Sequence, residues 1–159
     1  MRDHEHNRRR WYAGPMDAMT LRVLRLRDGA RLPIRSTPEA TGFDLHACLD
    51  APLRLGPAPQ LVPTGIAIEF TPGYDVQVRP RSGLSAKGVG VAFGTIDADY
   101  RGEVFVTMWT YGGLTSYELR PGDRIAQLVV AQLTPVDVVE ASDLSSTSRG
   151  DGGHGSTGR

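Results

Sequence analysis

The chain has 159 residues, enough for one core of ordinary domain size and not comfortably for two domains. Its 18 Lys plus Arg balance 18 Asp plus Glu, so no global charge draws it to nucleic acid or to an anionic membrane, and any hold on a polyanion must come from a local cluster. The single cysteine, Cys48, excludes an intrachain disulfide and a multi-cysteine metal site and fits a reducing cytoplasm; no apolar run reaches the roughly 20 residues that span a bilayer, and the N-terminus lacks the apolar core of a signal peptide.

Residues 1–19 are polar and show no apolar period. Arg8, Arg9 and Arg10 followed by Trp11 and Tyr12 could touch nucleic acid, and His4 and His6 could take up a metal, but the composition favours a solvated, disordered tail outside the fold. Met16 and Met19 leave an internal translation start open.

From residue 21 the pattern is β. Strands are predicted over 21–26, 42–47 and 64–70, and over 74–79, where Tyr74, Val76 and Val78 alternate with Asp75, Gln77 and Arg79. Further strands are predicted over 89–93, 104–109, 117–119, 125–131 and 136–139, with Pro63, Pro72, Pro80 and Pro121 at the ends of runs. Only residues 82–87 read as a helix, and a short one. Many short strands separated by Gly and Pro predict an all-β sandwich or jelly roll with one short helix. The apolar pattern stops after Val139, and residues 142–159, rich in Ser, Thr and Gly, read as a flexible arm. The expected organisation is a tail over 1–19, one domain over 20–141 and the arm over 142–159.

Three stretches carry chemistry. Gly94-Thr95-Ile96-Asp97-Ala98-Asp99-Tyr100-Arg101-Gly102 lies between two apolar runs and predicts a hairpin with Asp97, Asp99 and Tyr100 at or beside its tip; Asp-Ala-Asp can equally serve only to make the turn. Arg79-Pro80-Arg81-Ser82-Gly83-Leu84-Ser85 runs from a strand into a helix start. There, Arg81 and Ser82 can form an anion site, or Ser82 can simply cap the helix while Arg81 is solvated. Arg149-Gly150-Asp151-Gly152-Gly153-His154-Gly155-Ser156-Thr157-Gly158 can wrap a phosphate with backbone N–H groups, hydroxyls and a guanidinium, but lacks the Gly-Lys-Ser/Thr ending of a Walker loop.

Taken with Thr41-Gly42-Phe43-Asp44-Leu45 and Gly122-Asp123-Arg124-Ile125-Ala126-Gln127-Leu128, these stretches make five motifs that, in this order, resemble those of the trimeric dUTPase family. The resemblance extends from about residue 21 to 158. It implies a jelly-roll homotrimer with active sites at subunit interfaces, each closed by the C-terminal arm of a neighbour. The implied reaction is dUTP plus water giving dUMP and pyrophosphate, with Mg2+ on the triphosphate, which limits uracil incorporation into DNA and supplies dUMP for dTMP synthesis. No nucleic-acid or membrane partner is expected.

The resemblance also implies roles. Asp97 would be the base that deprotonates the attacking water and would hold the 3′-hydroxyl; Tyr100 would lie under the deoxyribose and exclude a 2′-hydroxyl. The backbone of Gly94 and Ile96 would read the uracil edge. Arg81, Ser82, Gly83 and Gln127 would line the phosphates, and Arg149, Gly155, Ser156 and Thr157 would close over them from the arm. Asp44 would meet Mg2+ only through water, since that ion keeps phosphate oxygens and waters as ligands. His154 stands where the family commonly has phenylalanine and would stack on uracil; Phe43 stands where tyrosine is frequent and can pack without a hydroxyl. The intact Asp97 to Tyr100 spacing and the arm weigh against a dCTP deaminase of the same architecture. A nucleotide-gated protein-binding module is a third, compatible reading.

Overall fold

The computed structural model describes residues 19–152, so the basic cluster near the N-terminus and His154, Gly155, Ser156 and Thr157 lie outside the described residues. The elements in order are β1 (Arg22–Arg25), β2 (Phe43–His46), β3 (Leu53–Leu55), β4 (Gln60–Glu69), β5 (Tyr74–Arg79), α1 (Ser82–Ser85), β6 (Val89–Val91), β7 (Gly94–Ile96), β8 (Glu103–Thr110), β9 (Tyr117–Leu119) and β10 (Arg124–Gln132). They form an all-β jelly-roll sandwich. One sheet has the order β1-β4-β8-β6, the other β2-β10-β5-β7, and β3 pairs with β9 in a small third sheet. Among the described residues no helix is long and apolar enough to cross a membrane.

Period-two alternation builds the core. Along β8, Val104, Val106, Met108 and Thr110 are buried while the residues between them are not, and β5 buries Val76 and Val78 in the same way. The apolar ones among these side chains join Val62, Ile66 and Ile68 of β4, Leu45 of β2, and Ile125 and Leu128 of β10 in one apolar cluster. Fully burying such a side chain contributes roughly 1.5–3 kcal/mol each, which makes this cluster the main source of stability.

Three expectations need correction. Pro63 sits within β4, opposite Phe105, and the register with β8 shifts between Pro63 and Ala67. The proline is tolerated because this bulge interrupts the regular ladder at that point. Residues 136–139 lie outside the sheets, with Val136 and Val138 exposed: β-branched residues supplied the propensity, but among the described residues no strand takes them into a sheet. The three-residue β3, between Pro52 and Gly56, was too short to stand out in the sequence pattern.

Candidate active site

The chain between β6 and β8 changes sheets. β6 and β8 pair antiparallel, as a hairpin requires, with Val91 opposite Met108. The intervening β7 leaves them and pairs with β5, placing Gly94 opposite Val78 and Ile96 opposite Val76. It is the last strand of its sheet, so one row of its backbone N–H and C=O groups is left outside the ladder. The predicted simple hairpin is therefore a bridge between the two sheets, because Gly94 and Ile96 find their partners on β5.

The turn that follows is tied down from several sides. The Tyr100 N–H donates to the Asp97 carbonyl at 3.1 Å, and the Arg101 guanidinium donates to the Ala98 and Tyr100 carbonyls at 2.7 and 2.9 Å. Arg101 also reaches Glu69 at 3.4 Å. The Tyr100 hydroxyl donates to the Glu103 carbonyl at 2.9 Å, and its ring lies so close over Gly102 that a Cβ there would sit 2.3 Å from the hydroxyl. Glu103 in turn accepts from the Gly65 N–H at 2.8 Å and pairs with Arg27 at 2.7 Å, fixing the start of β8 to the β4 bulge.

Beside this turn is a pocket of about 260 Å³ whose wall includes Val78, Gly94, Ile96, Asp97, Tyr100 and Phe105. Asp97 is exposed and has no ion pair among the described residues. Asp99 lies in the turn and likewise forms no ion pair among them.

A second cluster forms where three of the motifs meet on one sheet. β10 lies between β2 and β5, and its register sets Gln127 opposite Asp44 on one side and Arg79 on the other. After Arg79 the chain turns at Pro80 into α1, with Arg81 in extended conformation at the N-cap and no side-chain cap bond. Ser82 therefore does not cap the helix. Nor is Arg81 simply solvated: its Nε pairs with Asp44 Oδ1 at 3.1 Å and its Nη1 donates to the Arg124 carbonyl at 3.1 Å. The other Asp44 oxygen receives Arg124 Nη1 at 3.2 Å and the Ser36 hydroxyl at 2.5 Å. Gln127 Nε2 donates to the Pro80 carbonyl at 2.9 Å, and its side chain fills the space a Cβ at Gly42 would need.

Burial alone would raise the Asp44 carboxyl, but the Ser36 and Arg124 hydrogen bonds and the charges of Arg81 and Arg124 outweigh it and hold the group below its usual range. His46, two residues along the same strand, is pushed below the ordinary imidazole value by burial and by Arg31, Arg124 and Arg81, against the pull of Asp44. Its Nδ1 is buried without a hydrogen-bond partner among the described residues. Ser36, Arg124, Arg101 and Glu103 were not singled out in the sequence. Arg124 and Arg101 at least lie inside motifs, whereas nothing in the local sequence marks Ser36.

The Asp97 pocket includes none of Arg81, Ser82, Gly83 or Gln127 in its wall. In the arm, Arg149 closes on itself, its Nε donating to the Gly152 carbonyl at 2.8 Å and its own carbonyl accepting from the Gly152 N–H at 3.0 Å.

Comparison with known proteins bears on what these clusters are. A family model described as dUTPase matches residues 28–158. The chain is 44% identical over 146 residues to the deoxyuridine 5′-triphosphate nucleotidohydrolase of Anaplasma marginale (strain St. Maries), covering 88% of this chain and 99% of that protein. It is 43% identical over 144 residues to the protein of the same name from Nautilia profundicola, covering 89% and 100%. Among solved structures, the Staphylococcus bacteriophage 80alpha dUTPase with dUPNHPP superposes with a TM-score of 0.76 at 26% identity, over 88% of this chain and 99% of that one.

Proposed function

The chain belongs to the dUTPase family and hydrolyses dUTP to dUMP and pyrophosphate; we propose that it does so as a cytoplasmic homotrimer, with Asp97 as the base and the Arg81 cluster as the phosphate site. The make-up of the pocket wall is the observation that supports the assembly: among the described residues it includes Asp97 but none of Arg81, Ser82, Gly83 or Gln127. Bringing one subunit's Asp97 pocket beside another's Arg81 completes a site that neither subunit holds alone. The body, 20–141, would supply these walls, and the arm, 142–159, would close over a neighbour's site with Arg149, His154, Gly155, Ser156 and Thr157.

In this reading the backbone of β7 at Gly94 and Ile96 reads the uracil edge, and the Tyr100 ring, locked by Glu103 and accommodated by Gly102, lies under the deoxyribose. Asp97, free of cationic partners, takes a proton from water as its oxygen bonds to the α-phosphorus and the bond to the pyrophosphate oxygen breaks. Arg81, Ser82, Gly83 and Gln127 stabilise the charge on the phosphates, so catalysis is mainly positioning and electrostatics. Magnesium fits as a passenger on the triphosphate, where it would neutralise phosphate charge. Both Asp44 oxygens are engaged by arginines and Ser36, which leaves that carboxylate to meet the ion through water.

The test is pyrophosphate release from dUTP compared with dTTP, dCTP and UTP, for the wild type and Asp97→Asn. dUTP should be clearly preferred, and the substitution should lower turnover by about 10²- to 10⁴-fold, the usual contribution of a positioned base, with the circular dichroism spectrum intact. Removing residues 148–159 should cripple turnover and leave a folded trimer. Full activity in either variant would overturn the corresponding assignment.

A further inference from the structure

Two arginines compete for one carboxylate at the phosphate cluster, and what keeps them apart is a hydroxyl from the loop that leads into β2. Arg124 Nη1 approaches Asp44 Oδ2 at 3.2 Å, while Arg81 Nε takes Oδ1 at 3.1 Å. Ser36 donates to Oδ2 at 2.5 Å and accepts from Arg124 Nη1 at 3.0 Å. A hydroxyl has one proton to give and lone pairs to receive, so it is suited to sit between a carboxylate and a guanidinium. The loop that carries it is docked for this purpose: the Asp44 N–H donates to the Ile34 carbonyl at 2.7 Å, forming an isolated bridge between the loop and β2.

From this geometry we infer that Ser36 is a positioning residue for the phosphate site, acting through Asp44 to set the Arg81 guanidinium. By holding Arg124 on Oδ2, it reserves Oδ1 for Arg81. The Arg81 guanidinium is then fixed at Nε by the carboxylate and at Nη1 by the Arg124 carbonyl, and among the described residues its Nη2 has no hydrogen bond. That fixed, part-used fork is a suitable receiver for a phosphate oxygen. Without the hydroxyl, Asp44 is free to turn towards either arginine, and Arg81 loses its single orientation.

This inference rests on the proposed role of Arg81 and is tested beside it. Ser36→Ala should weaken binding of the non-hydrolysable analogue dUpNHpp and lower kcat/KM for dUTP by about 5- to 20-fold, less than a direct charge-assisted hydrogen bond would give because Ser36 acts at one remove. Inhibition by deoxyuridine, which carries no phosphate, should change less than about twofold on the same reasoning. Ser36→Thr keeps the hydroxyl on an exposed loop position and should restore both dUpNHpp binding and kcat/KM. Wild-type dUpNHpp affinity in Ser36→Ala, equal losses for dUpNHpp and deoxyuridine, or a Thr variant as weak as Ala would each overturn the inference. A wild-type protein that releases no pyrophosphate from dUTP would instead remove the underlying functional reading, whatever the Ser36 series shows.

Discussion

Gly102→Ala isolates the proposed sugar gate from the rest of the fold. A Cβ at position 102 would stand 2.3 Å from the Tyr100 hydroxyl, 2.5 Å from Cζ and 2.9 Å from Cε2, all inside the closest contact an alanine can make. Something has to move, and the ring is the part free to do so: it is the far end of a residue 45% exposed, and the three nearest atoms all belong to it. Position 102 does not have positive φ, so alanine adds no backbone strain. The stability lost is then mainly the Tyr100 to Glu103 hydrogen bond, net about 1 kcal/mol. For a chain of this size that is a fall in Tm of roughly 2–4 °C.

Function should suffer far more than stability in this variant. With the ring displaced, the surface proposed to exclude a 2′-hydroxyl is gone, and the ratio of kcat/KM for dUTP over UTP should fall by at least about tenfold, the equivalent of 1.4 kcal/mol of discrimination. The assay is pyrophosphate release with the two nucleotides at fixed protein concentration, alongside thermal unfolding. A variant with the Tm shift above and undiminished discrimination would refute the gate. A collapse in Tm of well over 10 °C would refute the claim that the ring yields before the turn.

Two further outcomes follow from the fold. Gly65, at the β4 bulge, has φ +70, and a Cβ there would lie 2.7 Å from Cys48 Sγ and 2.9 Å from Ala30 Cβ. Gly65→Ala should therefore cost about 2–4 kcal/mol from left-handed strain and overpacking together, read as a lower urea midpoint; an unchanged midpoint would show that the bulge relaxes freely. The depressed His46 value makes the unfolded state bind protons first, so this residue's contribution is complete above pH 6.5 and is lost as pH falls through 6.5 towards the folded-state value. Asp44, also depressed, keeps its contribution above pH 3.8 and loses it below. Urea unfolding across pH should show both declines, and His46→Gln should flatten only the upper one; equal steepness in that variant would assign the upper decline to other groups.

Much of the molecule was legible locally. Alternation in residues 74–79 marked β5 because a half-buried strand must bury every second side chain, and the apolar run over 104–109 marked β8. Asp97, Tyr100, Arg81 and Gln127 were marked by motifs that keep reactive side chains at fixed spacing. What escaped was whatever depends on a distant partner. Residues 136–139 have strand-like composition yet stay outside the sheets, Pro63 sits inside a strand at a bulge, and Ser36 matters only because a loop bridge carries it to Asp44.

The sequence by itself determined the all-β class, the apolar faces and the chemical identity of each candidate group, since these follow from composition, side-chain period and local motif. Only the tertiary structure decided how those groups meet. The register of β10 aligns Asp44, Gln127 and Arg79; the passage of β7 to the second sheet sets the Asp97 pocket at a sheet edge; and Asp44 divides its two oxygens between Arg81 and Arg124. Register, sheet choice and the sharing of one carboxylate between two cations are settled by contacts between residues far apart in the chain, and local sequence does not contain that geometry.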